Sequence, residues 1–375
     1  MLLRRLTVVL GLLLGAIVPA AAAEVTAEVT DLAGRTVRVP ARVERIVLGE
    51  GRFLAALGIL DRADPVRRVV AMMGEFPLLD PAGYDRWLAR FPALGGVPQV
   101  GKASADSFST EQAIALRPDL AIFGLGGHGP GPQARELVAQ MEAAGVTVVF
   151  VDFFRDPIAN TPKSIALLGT VLGREAEAAE FVAAYQGELA RVRERVARAT
   201  TRPLVFLENR VGLQEDCCAS VGNGVLGRLV EEAGGRNLGS AVIPGDAGTV
   251  SLEYLLTHQP DIYVGTAIGN PATADKTPRR IVLGPGAPAA QARETLARSL
   301  GRPGVADLDA VRAGRAHAVW HHFFHSPFNI VAVQAMARWF QPELTADLDP
   351  AATLKSFYER FQPVPADGAY WTSVK

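Results

Sequence analysis

Two stretches far apart in the chain, residues 110–123 and 252–265, follow one plan. A glutamate, Glu111 or Glu253, precedes by the same spacing a Pro-Asp pair, Pro118-Asp119 or Pro260-Asp261, that opens an apolar run. Proline cannot continue a helix and biases its predecessor toward extended backbone, so each pair marks a helix-to-strand junction. One such junction is commonplace. Two with a matched glutamate at identical spacing argue that the chain is built from two similar halves.

The surrounding pattern makes each half α/β. Residues 25–31 and 35–39 alternate apolar and polar around a turn at Ala33-Gly34, which predicts a β-hairpin ended by Pro40. Residues 45–48 read as a short buried strand, followed by Gly49-Glu50-Gly51 and a helix with Phe53, Leu54, Leu57 and Leu60 on one face. The unit recurs as a strand at 119–123, a Gly-rich loop at 124–132, a helix through Gln140 and a strand at 146–151. Beyond Pro203 it resumes, with strands at 204–207, 261–264 and 316–319 and a helix at 224–233. Strands alternating with helices through short loops predict parallel sheets covered on both faces.

Between the halves, residues 161–199 are Ala-rich and carry apolar side chains from Ile165 to Val196 near helical spacing, with Thr161-Pro162 as a start signal. Gly169 and Gly173 interrupt the pattern. A single helix of that length would reach about 50 Å, more than one small domain needs, so it is expected to be a connector. The expected organisation is an N-terminal α/β lobe over 24–160, a connecting helix over 161–199 and a C-terminal α/β lobe over 200–375.

Residues 1–23 are expected to be a signal peptide cut after Ala23: Arg4 and Arg5 precede an apolar run from Leu6 to Val18, and Ala21-x-Ala23 supplies small residues for cleavage. The alternative is an uncleaved anchor, for which the run is short. Export to an oxidising compartment bears on Cys217 and Cys218, the only two cysteines. Being adjacent, they cannot clamp distant segments, and a vicinal disulfide is favoured over metal-binding thiolates or two buried thiols. With 38 basic against 39 acidic side chains and a net charge of -1, the chain offers no basic field for nucleic acid.

Taken together, the opening hairpin over 30–40, Arg45-Ile-Val, both Glu/Pro-Asp segments, the long helical stretch and Ala233-Gly-Gly-Arg-Asn237 resemble a family. It is that of the periplasmic substrate-binding proteins that feed ABC importers of iron-siderophore complexes, haem and cobalamin. The resemblance covers nearly the whole mature chain. It implies a periplasmic monomer with two lobes bridged by a stiff helix and cargo held in the cleft between them. It further implies no intrinsic cofactor and a ferric siderophore or related iron chelate as cargo, with haem, cobalamin or a bare metal ion as alternatives. The implied partner is an inner-membrane ABC permease, and Glu111 and Glu253 would correspond to the surface carboxylates that engage its arginine pockets. Exposed ion pairs are individually weak, so two set apart on a rigid body suit a role in reporting orientation.

Ligand crevices in parallel α/β sheets lie beyond the carboxyl ends of the strands. The candidate loops therefore contribute Arg52, His128, Phe153, Phe154, Arg155, Arg210, Trp320, His321, His322, Phe323, Phe324 and His325. They supply the stacking surfaces and fork-shaped donors that a bulky anionic chelate needs, although roughly half of the aromatics should be packing instead. If residues 321–325 were helical, His321 and His325 would share a face, and His321, His322 and His325 could ligate a metal. Hydrogen bonding is the plainer role for them, and Pro327 argues for a loop.

A rival signal is Gly124-Leu-Gly-Gly-His-Gly129, which fits the dinucleotide-binding pattern G-x-G-x-x-G and has Asp152 at the end of the next strand. In that motif the helix starts within the glycines, which would put Pro130 and Pro132 in its first turns, and an interior proline costs about 3 kcal/mol. A dehydrogenase is therefore disfavoured. No G-x-S-x-G, H-E-x-x-H or paired-carboxylate motif appears, and a hydrolase using the histidines would lack a general base, so no enzymatic activity is expected.

Overall fold

The computed structural model describes residues 25–214 and 217–374. The expected signal peptide and its cleavage site lie outside the described residues.

The N-terminal lobe opens with the antiparallel hairpin β1 (Val25–Thr30) and β2 (Thr36–Pro40). Its sheet contains β3 (Ile46–Leu48), β4 (Val69–Met72), β5 (Leu120–Gly124) and β6 (Thr147–Val151), all parallel, in the order β4-β3-β5-β6. Helices α1 (Leu54–Leu60), α2 (Glu75–Leu79), α3 (Pro81–Arg90), α4 (Thr110–Ala115) and α5 (Arg135–Ala143) connect and cover it.

Two longer helices follow, α6 (Pro157–Leu172) and α7 (Glu175–Val196). The C-terminal lobe contains β7 (Leu204–Glu208), β8 (Ala219–Val221), β9 (Arg236–Asn237), β10 (Ala247–Thr249), β11 (Ile262–Ala267), β12 (Ala316–Trp320) and β13 (Trp371–Ser373). Its helices are α8 (Leu226–Glu232), α9 (Leu252–Thr257), α10 (Ala289–Leu300), α11 (Asp309–Arg312), α12 (Asn329–Phe340) and α13 (Pro350–Phe361). The main sheet runs β13-β12-β11-β7-β9, parallel except for the edge strand β13, and β8 and β10 form a separate antiparallel pair. No described helix is long and apolar enough to cross a membrane.

The repeated Pro-Asp pair performs one job in both lobes. Asp119 Oδ2 accepts from the backbone N–H of Glu44 and Arg45 at 2.8 and 2.9 Å, tying the start of β5 to the start of β3. Asp261 Oδ2 likewise accepts from Leu204 N at 2.7 Å, tying β11 to β7. Each carboxylate satisfies donors that the strand ends would otherwise leave open. The helices upstream match as well: Ser109 and Ser251 cap α4 and α9, accepting from Gln112 N and Tyr254 N, which leaves Glu111 and Glu253 exposed in the first helical turns.

The expected single rod over 161–199 is corrected to two helices. Gly173 at φ 63° ends α6 in a left-handed cap, a conformation that glycine adopts without a Cβ clash. The chain then reverses, and α7 lies antiparallel along α6. A Cβ on Gly169 would run into Ala178, while Ile158 and Arg193, near the other ends of the two helices, line one surface hollow. The connector is thus α7 alone, 22 residues and about 33 Å long. Its stripe of Phe181, Tyr185, Leu189 and Val192 is buried, as an amphipathic helix requires. Phe181 packs on Phe328, just ahead of α12, and on Phe357 and Phe361 of α13. Tyr185 donates to Asn329 Oδ1 at 2.7 Å, and Asn329 donates to Thr161 of α6 at 2.9 Å, pinning α6, α7 and α12 together.

The chain returns to the N-terminal lobe at its end. Gln362, just past α13, donates to the Ala55 carbonyl of α1 at 2.8 Å, and Arg86 of α3 pairs with Asp367.

Candidate functional site

Topology sets where the site lies. In the first sheet the chain leaves β3 toward β4 on one side and later fills the other side with β5. The loops after β3 and β5 therefore diverge and leave a crevice. In the second sheet β7 has β9 on one side and β11 on the other, which leaves a second crevice at their carboxyl ends. The two crevices face each other across a cleft of about 570 Å³, lined from both lobes.

Of the residues expected from sequence, Arg52, His128, Phe154, Arg210, His321, His322, Phe324 and His325 line this cleft. Three do not. Phe153 is buried against Phe53 in the N-terminal core, its ring centroid 5.7 Å away. Trp320, the last residue of β12, turns inward onto Phe323 and Tyr370, and Phe323 is core as well. Arg155 stands exposed at the rim, where it pairs with Asp246 of the opposite lobe. The vicinal pair Cys217–Cys218 is disulfide-bonded and lies away from the cleft wall, with Cys218 fully buried in the C-terminal core.

The floor is organised around Arg52. Its Nη1 donates to His322 Nδ1 at 3.0 Å, and its Nη2 reaches His128 Nδ1 at 2.9 Å and Glu50 Oε2 at 3.3 Å. The guanidinium carbon lies 5.7 Å from the centroid of the Phe324 ring. Glu75, from α2, accepts from the Arg52 backbone N–H at 3.1 Å. The same Glu75 oxygen lies 3.5 Å from Arg52 Nε, so two buried carboxylates share one guanidinium, and they settle in different states. Burial alone would raise Glu50, but His325, the contact with His128, and Arg52 hold it well below the usual carboxylate range. Burial and the neighbouring Glu50 charge push Glu75 up to about 8. Behind them Asp80, buried at the cap of α3, is pushed up to about 6.

The histidine run is not a helix. Residues His321–Phe323 form one 3₁₀ turn, and His325 has φ 59°. The expected metal set of His321, His322 and His325 is not the one that this geometry gathers, because His321 and His322 are held by other hydrogen-bond partners. His322 uses both nitrogens, accepting from Arg52 and donating from Nε2 to the Leu79 carbonyl at 3.1 Å. His321 Nδ1 contacts Thr266 Oγ1 at 3.1 Å. Burial pushes both rings well below the ordinary histidine value, and His325 down to about 3. His325 points elsewhere: its ring stacks on Phe154 at 4.7 Å, and its donor atom gathers with those of Glu50 and His128 within 4.8 Å.

Sequence reasoning missed Glu50, Glu75 and Arg280. Glu50 sits in the loop that follows β3, flanked by two glycines, and that flanking was its only local signal. Arg280 joins Arg210 on the C-terminal wall, and among the described residues neither side chain has a carboxylate partner. Leu78 and Leu213, both exposed, place one apolar side chain on each lip of the cleft.

The glycine-rich segment after β5 is not a dinucleotide fingerprint. Helix α5 begins only at Arg135, well beyond Gly129. Asp152, instead of facing a ligand, accepts from the N–H groups of Phe154, Arg155 and Asp156 and caps the turn into α6.

Two α/β lobes with facing crevices, braced by one helix, define a protein that captures a solute between its halves. The chain belongs to the periplasmic binding protein family, whose sequence profile matches residues 69–317, more than half of its length. Members of this family deliver their ligands to an inner-membrane ABC permease. Its fold is similar to that of FepB from Veillonella parvula, a TroA-like periplasmic binding protein, with 27% identity over 93% of this chain and 99% of that one and a TM-score of 0.80. It is also similar to Helicobacter pylori CeuE with Ni(II) bound, at 16% identity over 90% and 96% of the two chains and a TM-score of 0.64. The periplasmic heme-binding protein RhuT from Roseiflexus sp. RS-1 matches at 22% identity over 80% and 99%, with a TM-score of 0.55. No curated protein matches the sequence.

Proposed function

We propose that this protein captures an anionic metal chelate of the ferric-siderophore class in the interlobe cleft and hands it to an inner-membrane ABC permease, performing no chemistry of its own. The observation that carries this reading is the lining of the cleft. Arg210 and Arg280 have no carboxylate partner among the described residues, Phe154 and Phe324 are part of the wall, and Leu78 and Leu213 form apolar lips. Guanidinium forks recognise carboxylate, catecholate and hydroxamate oxygens, and aromatic side chains cover the chelator's apolar flanks. The similar proteins named for heme and for bound Ni(II) fit a metal-containing cargo.

Glu111 and Glu253 are the proposed permease contacts. Both stand exposed in the first turn of a serine-capped helix, one per lobe. The protein works as a periplasmic monomer in this reading, released from its signal peptide.

A thermal-shift panel of chemically distinct ferric siderophores, haem and cobalamin tests the cargo class. A ligand at 100 times its Kd raises stability by about 2.7 kcal/mol, enough for a clear shift. A shift with ferric chelates and none with haem or cobalamin supports the proposal. A shift with haem alone replaces it.

A further inference from the structure

We propose that Glu50, His128 and His325 coordinate the metal of the cargo directly, so that the protein recognises a first-row transition-metal ion with coordination positions left open, and not only the organic shell around it. This rests on reading the cleft as the cargo site and deepens that reading.

The three donors come from three loops on two lobes: Glu50 follows β3, His128 follows β5 and His325 follows β12. Their donor atoms lie within 4.8 Å of one another. Two imidazoles and a carboxylate suit borderline divalent metals and leave the remaining positions free for water or chelator oxygens.

His325 is the second, independent sign. Its ring is buried at 2% exposure, and neither Nδ1 nor Nε2 has a hydrogen-bond partner. Buried polar atoms in folded proteins are nearly always satisfied, and an orphan requires an explanation. The surroundings hold this ring in place nonetheless. Its backbone adopts the left-handed region, unfavourable for a residue with a Cβ, its N–H donates to the Phe153 carbonyl at 3.1 Å, and Phe154 stacks on its face. Gly127, at φ 122°, lies where a Cβ would collide with both Glu50 Oε1 and the His325 ring. Only a glycine there lets carboxylate and imidazole come together.

Arg52 completes the argument. Its Nη2 lies between two of the three donors, 3.3 Å from Glu50 Oε2 and 2.9 Å from His128 Nδ1. A positive group thus already balances the buried Glu50 where a metal would. An entering ion competes with that arm, while Arg52 keeps His322 and Glu75. Replacing Arg52 by a neutral side chain should therefore tighten metal binding, the opposite of what an anion site or a purely structural cluster would do.

The test titrates chelator-stripped protein with Co(II), Ni(II) and Zn(II) alone, by calorimetry and by the visible absorption of the Co(II) form. The expected result is one equivalent bound, with Co(II) bands of imidazole coordination. His325→Ala and Glu50→Gln should each weaken binding by roughly tenfold or more, and Arg52→Gln should strengthen it severalfold. His128→Ala, on a partly exposed loop residue, carries the test if the buried variants fail to fold. Absence of stoichiometric binding, or wild-type affinity in folded His325→Ala or His128→Ala, overturns the proposal. Tight binding of coordinatively saturated ferric chelates with no binding of metal alone overturns it and leaves the chelate reading standing. Metal alone binding through these residues, with every chelate rejected, upholds it and removes that reading.

Discussion

Arg52 and His322 join the two lobes. The guanidinium of one donates to Nδ1 of the other at 3.0 Å across 270 residues of sequence, and the far nitrogen of the same ring donates to the Leu79 carbonyl. A ring that accepts on Nδ1 and donates on Nε2 is the neutral tautomer, which agrees with the low basicity that burial imposes. His322→Ala would leave the Leu79 carbonyl and one Arg52 arm unpaired at a buried junction. The expected loss is about 1–3 kcal/mol in urea unfolding. Faster amide exchange around residues 49–53 and 321–326 should accompany it, with the two outer sheets unaffected.

The lobes should move little when cargo binds. A connector that is one continuous helix bends only by breaking backbone hydrogen bonds, and α7 is further pinned through Tyr185 and Asn329. Small-angle scattering with and without cargo should give nearly the same radius of gyration. A marked contraction would contradict the braced arrangement.

Arg210 and Arg280 should govern affinity and its salt dependence. Replacing both by Gln is expected to weaken binding of an anionic chelate by roughly tenfold per guanidinium, since a charge-assisted hydrogen bond contributes about 1.5 kcal/mol or more. The slope of affinity against ionic strength should flatten in the same titration.

Charge reversal at Glu111 or Glu253 should separate capture from delivery. Both residues lie outside the cleft lining, so calorimetry on Glu111→Lys and Glu253→Lys should return wild-type cargo affinity while uptake in cells falls sharply. An equal fall in affinity would remove the docking assignment.

Glu75 makes stability fall as pH rises from the ordinary carboxyl value of 4.5 to about 8. Its folded-state value of about 8 lies above the ordinary 4.5, so the native state holds a proton that the unfolded chain has lost. That contribution is complete below the ordinary value and disappears as pH rises through about 8. Thermal melts of the wild type should therefore drop by more over this window than those of Glu75→Gln, which retains an acceptor for the Arg52 N–H and has no proton to lose.

The duplicated α/β plan and the cleft-facing loops are legible in the sequence because their determinants are local. Buried parallel strands are short apolar runs, and Pro118-Asp119 and Pro260-Asp261 mark where they start. The antiparallel turn between α6 and α7 also had a local sign in Gly169 and Gly173, but amphipathic spacing continues across the break because both helices bury a stripe against the same core. Residues 61–109 carry short helices and the strand β4, and their irregular punctuation gives no clear period. The edge strand β13 is three residues long and pairs antiparallel to its neighbour, too short to read from alternation. The meeting of Glu50, His128 and His325 depends on how two sheets sit against each other, which no spacing along one chain encodes. Trp320 and Phe153 were misplaced for a related reason: at the end of a strand, one residue's shift decides between core and crevice.

The return of α13 to the first helix of the opposite half means that the two halves are fastened twice, once midway along the chain and once near its end. With Arg52–His322 and Arg155–Asp246 also spanning the cleft, the halves are held on more than one side, and neither can twist freely against the other. A receiver at the membrane would therefore meet one face in one nearly fixed orientation, and would have to tell a laden carrier from an empty one by small displacements of that face.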